Sequence, residues 1–339
     1  MKIRYVIFTI LLCAACLYGV TLLITTTVEK YEAMKTYRST TAPSVTAADT
    51  VAGNVHSLAP EPAPPASSGN TVETPAKSSA DVPEKEVNAT LPNADRLTTL
   101  SEEIRRKYAN AAPHEWGEHT AGVVRKVNIP ISDTAARPLF LTVNVFYQHS
   151  EAIFDLLNKY NIKATVFVSG YYAKEYSEAV QRFAKNPLFD IGNLGYRCRP
   201  VSTNGSKAYH LTGTAHIGEA LYEVTAGAQA IAQATGNVPA FFRPATGYID
   251  EVAVKAVKEL GLQVIGYESV TDGGGISSAE NIKERILNAA AGSIIVLSVN
   301  PNHPNIAQGL EAAIKEIEAR RLPVHFEKLA DYSHAFDIY

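Results

Sequence analysis

Residues 138–169 read PLFLTVNVFYQHSEAIFDLLNKYNIKATVFVS, and this stretch decides the fold class of the chain. The apolar run LFLTVNV predicts one strand, and ATVFV predicts a second strand that is buried on both faces. Between these strands, the segment EAIFDLLNKY places its apolar residues at helical spacing. A strand, a helix and a strand in this order form the crossover unit of a parallel β-sheet.

The same alternation continues toward the end of the chain. Strands are predicted at 139–145, 163–169, 189–193, 240–243, 263–267, 293–298 and 323–326. Helices are predicted at 151–160, 172–185, 214–235, 250–260, 280–289 and 307–320, with a short helix that opens at 101–104. This alternation predicts an α/β fold whose parallel sheet is surrounded by helices. About seven such units favour a closed or nearly closed barrel.

The N-terminal third differs in composition from the rest of the chain. Residues 5–25 read YVIFTILLCAACLYGVTLLIT, and about 20 apolar residues suffice for a membrane-spanning helix. We therefore predict a signal anchor at 1–27, with a cleaved signal peptide and a secreted form as the alternative. Residues 28–96 are rich in Ala, Pro, Ser and Thr, which predicts a disordered linker. The barrel domain at 97–339 is then expected outside the cytoplasm, in a periplasmic or extracellular position.

Composition excludes some classes of function. The 339-residue chain has a formal net charge of −3, whereas nucleic-acid-binding domains usually carry a basic excess, so we expect no nucleic-acid partner. Of the three cysteines, Cys13 and Cys16 lie in the N-terminal apolar run. The barrel domain is left with Cys198 alone, which can form no disulfide within that domain.

The C-terminal ends of the strands in such barrels carry the functional groups. This rule predicts one mouth formed by Asn144, 193–198, 243–247, Asp272 and 298–303. Within it, the stretch IGNLGYRCRP at 191–200 has the layout of a strand end with two ligand positions four residues apart. Those two positions hold Leu194, which has no lone pair to offer a metal, and Cys198.

Several segments in chain order carry a family resemblance. They are PHEWGE at 113–118, NPLFDI at 186–191 followed by Arg199-Pro200 and Asn204-Gly205, FRPATG at 242–247, and NHP at 302–304. Their order resembles that of the polysaccharide deacetylases of the NodB homology type. The resemblance covers about 111–326 and implies a distorted (β/α) barrel. It also implies a family activity that removes N- or O-acetyl groups from chitin-like or peptidoglycan-like polymers with a divalent metal.

The resemblance further implies that this chain is a degenerate member of the family. The position of the family's general base holds Asn144, and an amide cannot take up a proton at neutral pH. The matching metal-ligand positions hold Val145, Leu194 and Cys198, and that of the late acid histidine holds Ser298. We therefore predict no catalytic residue, no metal and no cofactor.

The remaining residues at the mouth are candidates for ligand binding. The family's counterpart of Arg243 orients the base, so here we expect Arg243 to pair with Asp272, to support the mouth or to reach a ligand anion. His303 lies in a loop, where it is either a ligand contact or a solvated turn residue. The vestigial-site or ligand-binding candidates are thus Asn144, Cys198, Arg243, Asp272, Ser298 and His303. The tyrosines predicted near the mouth, as sugar-stacking or rim residues, are Tyr196, Tyr209, Tyr248 and Tyr267, while Trp116 is expected to pack the N-terminal segment onto the barrel.

Three hypotheses of function remain open at this point. The first is a membrane-anchored pseudoenzyme that binds an N-acetylated envelope glycan such as peptidoglycan, or a protein partner. The second is an active hydrolase with a relocated site built from His303, Asp272 or His210. The third is a structural interaction module that contacts an envelope protein. An open groove lined by tyrosines would favour the glycan hypothesis, whereas a mouth plugged by Leu194, Phe146 and Tyr147 would favour the structural one.

Overall fold

The computed structural model describes residues 94–129 and 136–338. Its helices are α1 Ala94–Lys107, α2 Ala152–Lys159, α3 Gly170–Glu175, α4 Ser177–Lys185, α5 Ile217–Thr235, α6 Glu251–Glu259, α7 Ala279–Asn288 and α8 Asn305–Ala319, with a 3-10 turn at Ala330–Ala335. Its strands are β1 Trp116–Gly117, β2 Val124–Val127, β3 Arg137–Val145, β4 Ala164–Val168, β5 Phe189–Asn193, β6 Lys207–Ala208, β7 Leu211–Thr212, β8 Phe241–Phe242, β9 Ile249–Asp250, β10 Gln263–Val264, β11 Ser269–Val270, β12 Ile294–Ser298, β13 Val324–Phe326 and β14 Phe336–Ile338.

The main sheet confirms the predicted parallel α/β architecture. Its strand order is β10-β8-β5-β4-β3-β12-β11, with β13 also paired to β3, and its pairings are parallel. The long central strand β3 is buried along almost its whole length. This burial on both faces explains why β3 has a nearly continuous apolar sequence instead of a strict alternation.

The sheet forms a half-barrel, so the full closure that the sequence allowed does not occur, while the predicted distorted α/β barrel architecture is confirmed in this coarser form. Its edge strands β10 and β11 follow each other along the chain with only residues 265–268 between them. Two parallel neighbours need a crossover of a dozen or more residues, so these strands cannot pair with each other. The strand β2 lies in the gap instead, with single bridges from Val124 to Ile265 and from Lys126 to Ser293.

Several predicted elements differ in their bounds. The predicted helix at 172–185 is two helices, α3 and α4, because the backbone of Tyr176 leaves the helical region at φ −118° and ψ 44°. The helix α1 begins at Ala94, earlier than the predicted opening at 101. The end of α5 is as predicted, since Gly236 adopts the left-handed conformation that favours glycine at φ 82°.

The sheet separates two apolar layers that set the position of the mouth. On the outer face of β3, Leu141, Val143 and Val145 join the core between sheet and helices. On the inner face, Phe140 joins a second cluster with Phe167, and this cluster fills the half-barrel. Alternation along the strand therefore turns Thr142 and Asn144 toward the interior, where the candidate site lies.

The N-terminal predictions lie outside the described residues. The predicted anchor at 1–27 and the predicted linker as far as residue 93 belong to this part of the chain. Within residues 94–129 and 136–338, no helix has the length and apolar character needed to cross a membrane.

Candidate functional site

Arg243 crosses the interior of the half-barrel and is completely buried. Its Nη1 donates to Thr142 Oγ1 at 2.8 Å and to Asn144 Oδ1 at 3.1 Å, so it binds the inner face of β3. Its Nη2 donates to the Gly266 carbonyl at 2.8 Å, and its Nε to the Ile265 carbonyl at 3.3 Å. The guanidinium therefore joins the central strand to the chain that follows β10.

The partners of Arg243 are neutral oxygens rather than a carboxylate. Burial lowers the pKa of Arg243 to about 9, as expected for a cation removed from water without a matching negative charge. The guanidinium carbon also lies 4.2 Å from the centre of the Phe167 ring, within the range of a cation–π contact. Complete burial excludes the predicted direct contact of Arg243 with a ligand anion, and leaves support of the mouth as its function.

The predicted pair of Arg243 and Asp272 does not form, because Asp272 has other partners. Its carboxylate accepts from the backbone N–H of Ser298 and, at 3.0 Å, from that of Gly274. Asp272 is fully buried, and this burial raises its pKa. Ser298 is buried beside it and lies opposite Asn144 in the register of β12 and β3. Both residues therefore hold the glycine-rich loop against the sheet.

The positions that resemble metal ligands are closed to a metal. Leu194 is fully buried and packs in the interior cluster with Cys198. Burial raises the pKa of the Cys198 thiol, which disfavours the thiolate that a metal would need. The Tyr147 hydroxyl donates to the Arg197 carbonyl at 2.7 Å and so ties the end of β3 to the loop that holds Leu194 and Cys198. The remaining matched position, Val145, points into the outer layer between sheet and helices.

The donor set of this region therefore does not fit the divalent metal of the family. A hydrolytic zinc site usually has about three protein ligands. Among the described residues, no three His, Cys, Asp or Glu side chains converge as metal ligands would. His303 belongs to a turn in which its N–H donates to the Asn300 carbonyl at 3.1 Å, and His210 is an exposed residue between β6 and β7.

One buried carboxylate of this region was not predicted from the sequence. Glu223 lies on α5, and its Oε1 accepts from the backbone N–H of Arg197 at 2.7 Å and of Arg199 at 3.2 Å. Burial raises the pKa of Glu223 to about 7, although the two N–H donors oppose this shift. The signal in the sequence is a glutamate among the apolar residues of α5, one helical turn after Glu219. Glu223 thus holds the loop that resembles the family's metal-binding segment.

An open cavity of about 610 Å³ lies beside the closed mouth. We name it the Trp116 cavity, and it is lined by Glu115, Trp116, Gly117, Glu118, His119, Thr120 and Tyr248. Its volume is within the usual range for small-molecule sites, which is about 300–1,000 Å³. Because Tyr248 directly follows the segment 243–247, the cavity adjoins the predicted mouth.

Long-range pairing positions the aromatic wall of this cavity. The short strands β1 and β9 pair antiparallel with Trp116 opposite Asp250. The Trp116 ring then lies 5.7 Å from that of Tyr248, and its Nε1 donates to the Lys207 carbonyl at 3.2 Å. Tyr209 completes the group, with its ring 5.3 Å from Tyr248. Trp116 thus attaches the N-terminal segment to the barrel, as predicted, and also lines a cavity.

Not all of the predicted tyrosines join this group. The Tyr267 ring lies 5.8 Å from the Arg243 guanidinium, between the interior and the Trp116 cavity. Tyr196 stacks on Tyr171 instead, with ring centres 4.9 Å apart. Tyr248 therefore lines the Trp116 cavity and Tyr209 lies beside it, whereas Tyr196 belongs to a separate aromatic row.

Comparison with known proteins agrees with this fold. Residues 132–265 match the polysaccharide deacetylase family model. The peptidoglycan-N-acetylmuramic acid deacetylase PdaA of Bacillus subtilis is 22% identical over 163 residues, which cover 47% of this chain and 58% of that protein. The chain thus matches little more than half the length of this curated relative.

Solved structures with the same fold include a deacetylase and a pseudoenzyme. The Bc1960 peptidoglycan N-acetylglucosamine deacetylase superposes with a TM-score of 0.52 at 22% identity, over 62% of this chain and 92% of that one. A mutant of a CE4 family pseudoenzyme, a protein of Bacillus anthracis, superposes with a TM-score of 0.51 at 16% identity, over 69% and 83%. At these identities, the likeness concerns the fold alone. It agrees with the match of residues 132–265 to the polysaccharide deacetylase family model.

Proposed function

We propose that this chain is a catalytically inactive deacetylase-like protein that binds an envelope glycan. The observation that carries the proposal is the contact between Arg243 and Asn144, because an amide stands where the family has its base. An amide in that position can accept a hydrogen bond from the guanidinium but cannot remove a proton from water. The relatives named as peptidoglycan deacetylases support an N-acetylated glycan as the class of ligand.

The Trp116 cavity is the proposed glycan site. The apolar C–H faces of sugar rings stack on aromatic side chains, and the rings of Trp116 and Tyr248 line this cavity. The original cleft is unsuited to a sugar because Leu194 fills it and Tyr147 bonds across it. A plugged mouth favours the structural hypothesis for that position, so the proposal places glycan binding in the adjoining Trp116 cavity instead.

The hypothesis of a relocated hydrolytic site finds less support. Asp272 is buried and bonded to backbone N–H groups, and it forms no metal-binding group with His303 or His210 among the described residues. A general base has to lie within reach of water and substrate, which a fully buried carboxylate does not.

Replacement of Trp116 by alanine is expected to weaken binding of a chitin oligosaccharide by about fivefold, since loss of one stacking ring costs on the order of 1 kcal/mol. The measurement is calorimetric titration of the full chain with the oligosaccharide. The matched control is Tyr222→Ala, because Tyr222 is an exposed aromatic residue of α5 with 52% of its surface accessible. Absence of binding by the unmodified chain, or loss of binding with Tyr222→Ala alone, would contradict the proposed site.

We further propose that residues 1–27 anchor the protein to a membrane and place the barrel domain outside the cytoplasm. The support is the uncharged apolar run at 5–25, which is long enough to span a bilayer. The full chain is expected to sediment with the membrane fraction and a chain without residues 1–27 to remain in the supernatant. Equal amounts of the full chain in both fractions after a salt wash would argue against an anchor.

A further inference from the structure

The Trp116 cavity combines aromatic faces with negative charge. Two of its lining residues, Glu115 and Glu118, are carboxylates, and the one lining residue that can become cationic is His119, since no Lys or Arg lines the cavity. A neutral N-acetylated sugar needs ring faces and hydrogen bonds but has no positive charge for these carboxylates to bind. The carboxylates in the wall therefore indicate a ligand with a positive charge, which a neutral N-acetylated glycan does not have.

Both carboxylates are held in place and retain acceptor capacity. The Tyr209 hydroxyl donates to Glu118 Oε1 at 2.5 Å, and the Ala121 N–H donates to Glu115 Oε2 at 2.8 Å. A carboxylate has about four lone-pair sites, so Glu118, which also accepts from Tyr267, and Glu115 are not saturated by these donors. The contact orients each group and reduces the entropy that it would lose when a ligand binds.

The surroundings of Glu118 reflect its negative charge. The pKa of Tyr209 is raised by burial and by its hydrogen bond to Glu118. The pKa of Tyr267 is raised in the same direction, by burial and then by the Coulombic effect of Glu118. Both phenols therefore remain neutral hydrogen-bond donors beside Glu118.

The aromatic ring faces of the cavity also favour a positively charged ligand group. The face of an indole or phenol ring carries negative quadrupole charge and attracts an ammonium group. The Trp116 and Tyr248 rings lie 5.7 Å apart on the same wall as the carboxylates. A ligand that presents both an apolar ring face and an ammonium group would use every feature of this wall.

We infer that the Trp116 cavity prefers a glycan that carries a free ammonium group, a de-N-acetylated hexosamine, over its N-acetylated form. The inference rests on the proposed glycan binding and narrows it to a chemical class. Such a ligand arises by amide hydrolysis, in which water adds to the acetyl carbon, the C–N bond breaks, and acetate and an amine are released. The protein would then bind the product of a deacetylation that another enzyme performs.

The test is calorimetric titration of the full chain with chitosan and chitin oligosaccharides of equal length, at mildly acidic pH. The free-amine oligosaccharide is expected to bind about tenfold tighter, as a carboxylate pair and a cation–π contact together provide. Glu118→Gln keeps an acceptor for Tyr209 but removes the charge, and it should reduce that preference to about twofold. Glu280→Gln is the matched control, since Glu280 is an exposed residue of α7.

The possible outcomes separate the two proposals. Absence of binding by either oligosaccharide contradicts the proposed glycan function itself. Equal or tighter binding of the N-acetylated oligosaccharide leaves that function in place and overturns the present inference. Equally tight binding of oligolysine also overturns it, because charge alone would then explain the preference. If Glu118→Gln reduces folding, as seen by circular dichroism, Glu115→Gln provides the second variant.

Discussion

Replacement of Arg243 by methionine is expected to lower the free energy of unfolding by about 3 kcal/mol. The guanidinium donates to the side chains of Thr142 and Asn144 and to the carbonyls of Ile265 and Gly266. Methionine fills a similar volume but donates no hydrogen bond, so these buried acceptors lose a partner. The substitution also removes a buried positive charge, and this gain offsets part of the lost hydrogen-bond energy. The expected loss of stability is therefore smaller than for a broken buried ion pair.

Urea denaturation of the full chain measures this effect. The matched control is Arg125→Met, because Arg125 is only partly buried and its Nε donates to one carbonyl, that of Tyr267, at 3.2 Å. The control should cost at most about 1 kcal/mol, in keeping with one hydrogen bond. Equal stability of the Arg243→Met variant and the unmodified protein would show that the guanidinium does not hold the half-barrel together.

Replacement of Asn144 by aspartate is expected to raise the free energy of unfolding by about 2 kcal/mol. The two side chains have nearly the same shape, and Asn144 Oδ1 lies 3.1 Å from Arg243 Nη1. The new carboxylate would supply a counter-ion to a buried cation that now bonds only to neutral oxygens. The pKa of Arg243, which burial lowers to about 9, should rise in this variant.

The control for this prediction is Ser298→Asp. Ser298 is buried on the neighbouring strand, directly opposite Asn144, but its near neighbour is the Asp272 carboxylate. A second carboxylate there should destabilise the protein, since like charges repel strongly when buried. If Asn144→Asp stabilises equally in an Arg243→Met background, the gain does not come from the ion pair and the explanation fails. Acetate release from chitin oligosaccharides should stay at background in the Asn144→Asp variant, because Leu194 still fills the metal position.

Arg243 and Asn144 form the structural centre of the site. Arg243 joins the central strand to the chain that follows β10, and Asn144 accepts one of its hydrogen bonds. An amide in this position keeps the hydrogen bond but cannot take up a proton at neutral pH. The site as proposed thus stabilises the fold, and ligand recognition is proposed for the Trp116 cavity beside it.

Much of the fold followed from local patterns in the sequence. The apolar runs of β3, β4 and β12 predicted strands, and helical spacing predicted α2 and α5. These patterns reflect burial, because a buried strand or helix face needs apolar residues whatever element it packs against. The order of the motifs indicated a resemblance to one family. The rule that functional groups lie at the C-terminal ends of parallel strands predicted that Asn144 and Ser298 are neighbours, and their strands pair at these residues.

The sequence did not predict which polar groups would be partners. Arg243 could have bound Asp272 or a ligand, and only the packed structure shows that it binds neutral oxygens of β3 and of residues 265 and 266. The role of Glu223 as the acceptor for the backbone of residues 197 and 199 likewise depends on the packing of α5 against that loop. Such pairings depend on distances between segments that are far apart in the chain, and no local pattern encodes them.

The sequence by itself determined that this protein has a parallel α/β domain, and it placed an amide, a leucine and a serine at positions that resemble the family's catalytic and metal positions. Tertiary structure alone decided that the sheet remains a half-barrel, because β10 and β11 are too close in sequence to pair. It also decided that a cavity opens at Trp116, since the pairing of β1 with β9 joins distant segments. Residue identity limits the chemistry of a site, whereas long-range packing creates the space in which that chemistry meets a ligand.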